Sequence, residues 1–378
     1  MIRKIADNII SPLGMTTEAN LRAILAGESQ LRPRPGQFDL PETFCGSLID
    51  RGMISRLFRE NICEEGYTFF EQLCILSAMA VIKEAGIDPA DKGVLFVLSS
   101  TKGNVDKLEE DCGSEACYIA GSAERIARHF GNPNTPIVAS NACISGVCAQ
   151  IAAIRQLLTG RYRTAVVIGC DVLSKFIVSG FQSFKALSPE PCKPYDKARV
   201  GLNLGEAAGT IILTAEDGLR PEADWQYAAC SIHNDANHIS GPSRTGEGSY
   251  RVLMDILAGV GKDELAFVNA HGTATAYNDE MESIAIHRAG LDDIPVNGLK
   301  GYYGHTLGAA GVIETILSMH AIDRGTVLPT RGYAEQGTTY RLNISDKARA
   351  TERKTFIKIL SGFGGSNAGI AYRKGGNA

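Results

Sequence analysis

Residues 136–160 read PIVASNACISGVCAQIAAIRQLLTG, and this stretch indicates how the chain is built. A short apolar run at 136–139 leads into a turn that carries Cys143, and a helical pattern over 145–159 then ends at a glycine. A strand, a turn and a helix in succession are typical of layered α/β folds. A cysteine at a helix N-terminus lies beside unpaired N–H groups and a partial positive charge, which lower its pKa and favour the nucleophilic thiolate. Cys143 is therefore a candidate nucleophile, although for a cysteine taken alone the buried apolar role is the favoured interpretation.

The same alternation continues along the chain. Apolar runs typical of strands occupy 93–99, 164–169, 209–213, 265–269 and 356–360, and further helical patterns occupy 69–85 and 309–322. Continuous apolar runs of this length suit strands buried on both faces, so we predict a sheet covered by helices. A strand, a loop with a polar residue and a helix recur in the second half, which predicts two similarly built halves, 1–215 and 216–378.

Composition excludes several classes of function. The 378 residues are 44% hydrophobic and 21% charged, with a formal net charge of −4 and no basic block, so nucleic-acid or membrane-surface binding has no electrostatic support. The N-terminal residues predict no signal peptide, and no apolar stretch is long enough to span a bilayer. Ten irregularly spaced cysteines without a CxxC pair predict reduced thiols in a cytoplasmic protein.

Two histidines and a lysine stand out in the second half. His271 lies two residues after the apolar run at 265–269 and is followed by a glycine. In this position its ring can project into a cleft. His305 precedes TLGAAG, whose small residues allow close helix packing, and Lys300 lies shortly before it. Each of these features also has a structural interpretation when taken alone. His271 could be an ordinary loop histidine, the small residues after His305 could serve packing only, and Lys300 could be a solvated surface lysine. Metal-ligand spacings and nucleotide-binding fingerprints are absent, so we predict no metal.

Several segments together carry a resemblance to a known family. They are ISPLG at 10–14, SNACISG at 140–146, CKPYDKARVGLNLGEAAG at 192–209, NDANHISGP at 234–242, HGTATAYNDEMES at 271–283, GHTLGAAG at 304–311 and GFGGSNA at 362–368. In this order they resemble the motifs of the β-ketoacyl-[acyl carrier protein] synthases, within the thiolase superfamily. The resemblance covers nearly the whole chain.

The resemblance implies a fold and a chemistry. The fold is α/β and thiolase-like: two similar halves in a five-layer α-β-α-β-α stack. The chemistry is a decarboxylative Claisen condensation, in which Cys143 holds an acyl chain that is joined to malonyl-acyl carrier protein. Two histidines, His271 and His305, imply the elongating Cys-His-His class; thiolases need a second cysteine in a C-terminal loop, and the last cysteine here is Cys230.

The resemblance also implies roles for other residues. Lys300 would support the site electrostatically, paired with Glu282. Asp279 and Glu282, three residues apart, would face one side of a helix after the HGTAT loop. Thr273 and Thr275 would bind the phosphopantetheine arm. The remaining roles fall to the backbone N–H groups of Cys143 and Phe363 as an oxyanion hole, and to Phe363 with Gly364 as a gate.

The implied partners are the acyl and malonyl forms of an acyl carrier protein and a second, identical or related, subunit. No cofactor is implied, because the carrier brings the phosphopantetheine. The segment 103–139 is shorter than usual for the family, and Ser361 stands where a gating phenylalanine is common. An arginine cluster at Arg51, Arg56 and Arg59 is either a carrier-binding patch or a solvated helix face.

Two other functions stay open. A polyketide or aryl-polyene ketosynthase would use the same chemistry, and the shortened segment and Ser361 keep that alternative in view. A non-catalytic subunit resembling a chain-length factor is the second, although such subunits usually lack the nucleophile cysteine.

Overall fold

The computed structural model describes residues 1–62, 64–109, 115–220, 224–238 and 241–375. The helices are α1 Thr17–Leu25, α2 Arg51–Asn61, α3 Phe69–Ala85, α4 Ile119–His129, α5 Ser145–Leu158, α6 Lys175–Ser183, α7 Glu247–Leu257, α8 Ala276–Arg288, α9 Lys300–Tyr303 and α10 Ala310–Asp323. The strands are β1 Arg3–Ile10, β2 Arg32–Arg34, β3 Phe44–Ser47, β4 Val94–Ser99, β5 Ile137–Ala139, β6 Thr164–Asp171, β7 Leu204–Gly205, β8 Ala207–Thr214, β9 Trp225–Asn234, β10 Leu265–Asn269, β11 Pro295–Asn297, β12 Thr326–Val327, β13 Asn343–Ile344, β14 Arg349–Ala350, β15 Thr355–Gly362 and β16 Ser366–Lys374.

The main sheet contains the same strand arrangement twice. Its order is β13-β11-β10-β15-β16-β9-β1-β8-β6-β4-β5. In the first half β4 is parallel to β5 and β6, and β8 is antiparallel to β6 and β1. In the second half β10 is parallel to β11 and β15, and β16 is antiparallel to β15 and β9. The internal repeat expected from the sequence is therefore present in the strand order, and β13 extends the second copy.

The halves meet where β1 and β9 pair through Arg3 with Gln226 and Lys4 with Trp225. The new copy of the strand order starts with β9, after β8 has ended at Thr214. The division between residues 215 and 216 itself stays a prediction.

Helices cover both faces of both halves. α5 contacts β4, β5 and β6 on one side and β16 on the other, and α10 contacts strands of both halves in the same way, so these two helices form the central layer. α3 packs outside the first half and α7 outside the second. Helices that lie between two sheets are buried all round, which explains why α5 and α10 are apolar on nearly every side. This is the predicted five-layer α-β-α-β-α stack.

Most predicted elements agree with the observed ones. The predicted helix at 69–85 has those bounds, because a capping box of Thr68 and Glu71 begins it and Gly86, in the left-handed conformation, ends it. β16, which pairs with β15 across a glycine-rich turn, is not among the strands predicted from the sequence. In the described ranges no helix has both the length and the apolar character needed to cross a lipid bilayer.

Candidate active site

Cys143 lies in the turn between β5 and α5, at the start of the central helix layer. Ala142 has a φ of 44°, a left-handed conformation that is uncommon for a residue with a side chain and that often marks a functional turn. The Ser145 hydroxyl holds this turn, since it accepts from the N–H of Asn141 at 2.8 Å and donates to the carbonyl of Ala142 at 2.6 Å. Cys143 is 9% exposed, and it lines the large cavity of the chain.

The thiol of Cys143 is not activated in the way its position at a helix start suggests. Burial raises the pKa of Cys143 to about 11, and the charge of Lys300 lowers it only in part. The expected lowered pKa is therefore wrong for this thiol, because the shielded site removes the water that would hydrate a thiolate. Near neutral pH the protonated thiol is therefore the favoured form.

His271 begins a loop whose backbone N–H groups donate hydrogen bonds to two carboxylates of α8. Glu282 accepts hydrogen bonds from the N–H groups of His271 and Gly272 at 2.6 and 2.8 Å. Asp279 accepts from the next two N–H groups at 3.0 and 3.2 Å. Burial, followed by the charge of Glu282, raises the pKa of Asp279 to about 7. The prediction that both acids face the loop from one side of a helix is confirmed.

Lys300 is buried, with 1% of its surface exposed, so the solvated-lysine alternative is wrong. Its Nζ donates to the carbonyl of His271 at 2.7 Å and to Glu314 Oε1 at 2.8 Å. The predicted pairing with Glu282 is also wrong. The carboxylate of Glu282 is occupied by the loop N–H groups, whereas Glu314 projects from α10 towards the lysine.

His305 has a defined tautomer and lies edge-on to His271. The N–H of Leu307 donates to His305 Nδ1 at 3.3 Å, so the ring proton is on Nε2. The centroids of the two imidazoles are 5.0 Å apart with an interplanar angle of 81°. Burial, and then the charge of Lys300, lowers the pKa of both histidines well below the ordinary value. Both rings are therefore neutral at neutral pH.

Glycines bring the cysteine and histidine segments together. A Cβ on Gly146 would lie 2.9 Å from the carbonyl oxygen of Gly308, and one on Gly311 would overlap the backbone of α5. Such close approach is possible only without side chains. The predicted close packing of the small residues after His305 is therefore confirmed, and its consequence is that the N-termini of α5 and α10 meet.

Cys143, His271 and His305 meet as the sequence predicted. One ligand-type atom from each lies within 4.8 Å of the others, and all three residues are buried. His271 Nδ1 and His305 Nε2 have no hydrogen-bond partner among the described residues, so both nitrogens are free for a ligand. Proximity alone would admit a metal ion here. The ammonium of Lys300 beside the group works against a divalent cation.

The glycine-rich turn between β15 and β16 lies against the nucleophile. A Cβ on Gly362 would be 3.2 Å from the backbone N of Cys143, which places the adjoining Phe363 at the cysteine. The Phe363 ring packs on Phe181 and Phe184, with centroids 5.9 and 5.3 Å away. Gly364 has a φ of 85°, which a glycine adopts readily. The turn therefore places an aromatic side chain on the cavity wall beside the cysteine, and its role as a gate stays a prediction.

The cavity joins these groups. Its volume is about 880 Å³, and Cys143, His271 and His305 line it together with Thr273 and Thr275. The two threonine hydroxyls lie 2.9 Å apart and hydrogen bond to each other, and Thr275 also caps the N-terminus of α8. The threonines are thus placed on the wall of a channel that leads to the cysteine.

Sequence reasoning missed four residues of the site. Phe181 and Phe184 had no motif to single them out. Glu314 and Lys358 did leave a signal, because each is a charged residue inside an apolar run that was predicted to be buried. A buried charge needs a partner, and these two are paired with each other.

Comparison with known proteins agrees with this site. The β-ketoacyl synthase N-terminal domain matches residues 5–217, and the C-terminal domain of the same family matches residues 226–334. Nodulation protein E of Rhizobium meliloti is 30% identical over 68% of this chain, and the match spans 65% of that relative, less than two thirds of its length. The 3-oxoacyl-[acyl-carrier-protein] synthase 2 of Vibrio cholerae is 27% identical over 97% of both chains.

Solved structures share the fold over its full extent. A ketosynthase from Xenorhabdus doucetiae, in complex with its chain length factor, superposes with a TM-score of 0.84 at 23% identity, covering 99% of this chain and 98% of that one. A type II polyketide ketosynthase in complex with an acyl carrier protein has a TM-score of 0.83 at 20% identity, covering 99% and 98%. The two matched domains together with the cysteine and two histidines in one pocket establish that the chain belongs to the β-ketoacyl synthase family.

Proposed function

We propose that the protein is a β-ketoacyl-[acyl carrier protein] synthase of the elongating kind, an acyltransferase that condenses a Cys143-bound acyl chain with malonyl-acyl carrier protein. The observation that carries the proposal is the meeting of Cys143, His271 and His305 within 4.8 Å in a buried pocket. A sulfur nucleophile supplies covalent catalysis, and two neutral imidazoles supply hydrogen-bond donors.

The first half-reaction loads the cysteine. The sulfur of Cys143 attacks the acyl thioester of the carrier, and the backbone N–H groups of Cys143 and Phe363 hold the developing oxyanion. The C–S bond to the carrier breaks, and the proton lost by the cysteine goes to the departing thiol. No net proton is released, which suits a thiol whose pKa burial has raised to about 11.

The second half-reaction joins the chains. Malonyl-acyl carrier protein loses CO₂, and the electron pair of the broken C–C bond forms an enolate on the thioester. His305 donates from Nε2–H to the enolate oxygen, and His271 donates beside it. The enolate carbon then attacks the acyl carbonyl, the bond to Cys143 breaks, and its thiolate takes up a proton from water.

The partners follow from this chemistry. The carrier would supply its phosphopantetheine arm, which Thr273 and Thr275 would bind, so the reaction needs no metal or other cofactor. Carrier proteins are acidic in general, and Lys185 and Arg244 line the cavity mouth. Arg51, one of the three arginines at 51, 56 and 59, forms an ion pair with Glu206 at 2.9 Å, so it is less available to bind the carrier. The second subunit, identical or related, is part of the same proposal.

A polyketide-type substrate is favoured by one observation. Ser361, in place of an apolar gate, hydrogen bonds to Ser249 and Asn367 at 3.1 and 2.8 Å beside the cavity. A polar wall at this point accepts an oxygenated chain better than an apolar gate would. Comparing saturated, polyunsaturated and aryl acyl carriers distinguishes the two substrate classes.

Mass spectrometry of the protein after incubation with a panel of acyl carrier proteins tests the proposal. We expect one acyl group on Cys143, lost in Cys143→Ala and retained in Cys148→Ala, which changes a second cysteine of the same helix. Carrier-bound malonate should then be decarboxylated and condensed. A wild type that forms no acyl-enzyme, alone or with a related subunit, would contradict the catalytic assignment and favour a chain-length-factor-like role.

A further inference from the structure

Lys358 is a fully buried lysine in the middle of β15. It has no exposed surface, and apolar residues flank it along the strand. β15 runs parallel to β10, and Lys358 lies in register with Asn269, the residue at which β10 ends. Its side chain therefore reaches the point where the strand gives way to the loop that carries His271.

Two lysines hold that point of the chain in the same manner. Lys358 Nζ donates to the carbonyl of Ala270 at 3.1 Å, and Lys300 Nζ donates to the carbonyl of His271 at 2.7 Å. Both lysines also bind Glu314, one at each carboxylate oxygen. Two consecutive carbonyls beyond the last paired residue of β10 are thus satisfied by ammonium groups instead of a neighbouring strand.

We propose that Lys358 is a positioning residue for the condensation: it fixes the backbone that carries His271 and, as a second positive charge, keeps the two histidines neutral. This inference rests on the proposed function. Although both lysines bind Glu314, the positive charge of each still acts on the imidazoles and lowers the pKa of His271 and of His305. That charge opposes protonation of either ring, because an imidazolium would be repelled by the two lysine ammonium groups.

The sign of the effect follows from the surrounding charges. The titratable groups around Lys358 are Glu314 of α10, Lys300 of α9, Glu282 of α8 and the two histidines. Burial lowers the pKa of Lys358 to about 8, against the charge of Glu314, which raises it. Loss of the lysine charge lets the pKa of both histidines rise towards the ordinary value, so the neutral, active pair is lost at a higher pH than in the wild type.

The test is the pH profile of single-turnover condensation, measured on enzyme that has first been acylated on Cys143. In Lys358→Met we expect the acidic limb to move up by about one pH unit, the effect of one charge at an effective dielectric constant of about 20. Lys358→Arg should restore the acidic limb because the charge returns.

Controls separate the possible failures. Lys354→Met, an exposed lysine just before the same strand, should leave the profile unchanged. A wild type that cannot be acylated contradicts the proposed function. If the wild type condenses and the acidic limb of the Lys358→Met pH profile coincides with that of the wild type, Lys358 does not have the proposed role. If Lys358→Met does not fold, Lys358→Gln, which keeps a hydrogen-bond donor but not the charge, takes its place, and an acidic limb that coincides with that of the wild type contradicts the role equally.

Discussion

Replacing Glu282 by alanine should both destabilise the protein and impair decarboxylation. The carboxylate accepts the N–H groups of His271 and Gly272 at 2.6 and 2.8 Å and the hydroxyl of Tyr195 at 2.9 Å, all three in the interior. Each buried donor left without an acceptor costs about 1–3 kcal/mol. Removal of a carboxylate whose pKa is raised by burial offsets part of that cost. We expect Glu282→Ala to lower the free energy of unfolding by about 3–5 kcal/mol.

The pH dependence of this difference has a definite sign. Because burial raises the pKa of Glu282, the carboxyl group of the folded wild type binds its proton more tightly than that of the unfolded chain. The stability that Glu282 gains from this tighter proton binding is fully present below the pKa of the unfolded chain. It is lost as the pH rises through the pKa of Glu282 in the folded protein. Glu282→Ala lacks this dependence, so the stability difference between the two proteins is largest at low pH.

Denaturant unfolding at several pH values measures the stability, and malonyl decarboxylation measured beside acylation of Cys143 measures the function. Decarboxylation should fall more than acylation, since His271 moves when its loop loses the carboxylate. Glu280→Ala is the matched control: Glu280 lies on the same helix and accepts one bond, from Thr339 at 3.0 Å near the surface. A Glu282→Ala variant no less stable than this control, with full decarboxylation, would refute the reasoning.

Three further predictions follow from the same geometry. The rate of Cys143 alkylation should rise about tenfold per pH unit from about pH 7 to about pH 10 without levelling. The reason is that burial raises the pKa of the thiol to about 11. A rate that levels near about pH 8 would instead reveal an activated thiolate. His305→Ala should slow decarboxylation about 10²–10³-fold while the exposed His287→Ala does not, and equal rates would remove His305 from the mechanism. Gly311→Ala should cost about 1–3 kcal/mol by forcing α5 and α10 apart, whereas Gly180→Ala, with open space around it, should cost nothing measurable in thermal unfolding.

The fold could be predicted from the sequence wherever burial on both faces left an uninterrupted apolar signal. The helix at 69–85 and the strand at 265–269 agree with the structure to the residue, since caps or glycines punctuate them. β9 and β16 were missed because polar residues interrupt their runs, as in WQYAACSIHN. Strands of mixed composition resemble loops when only local hydrophobicity is considered.

The candidate site was predicted at the level of which residues meet, but not of how they are charged. Cys143, His271 and His305 lie in motifs that are local in sequence, so their presence could be recognised. The partner of Lys300 could not, because Glu314 and Glu282 are both acids at a plausible distance along the chain and only the packing of α10 selects between them. The pKa of Cys143 depends on total burial, which no local motif encodes.

Burial acts on the three reacting groups in one direction: it favours the uncharged form of each. It raises the pKa of the Cys143 thiol and lowers the pKa of His271 and His305, so the resting site holds a thiol and two neutral imidazoles. In the proposed reaction an oxygen atom becomes charged only when the acyl oxyanion and the enolate form, in the cavity that Cys143 and both histidines line. Fixed donors in a dry site stabilise such charge without reorganising. The two lysines around Glu314 act in the same direction as burial, because the charge of each lowers the pKa of both histidines.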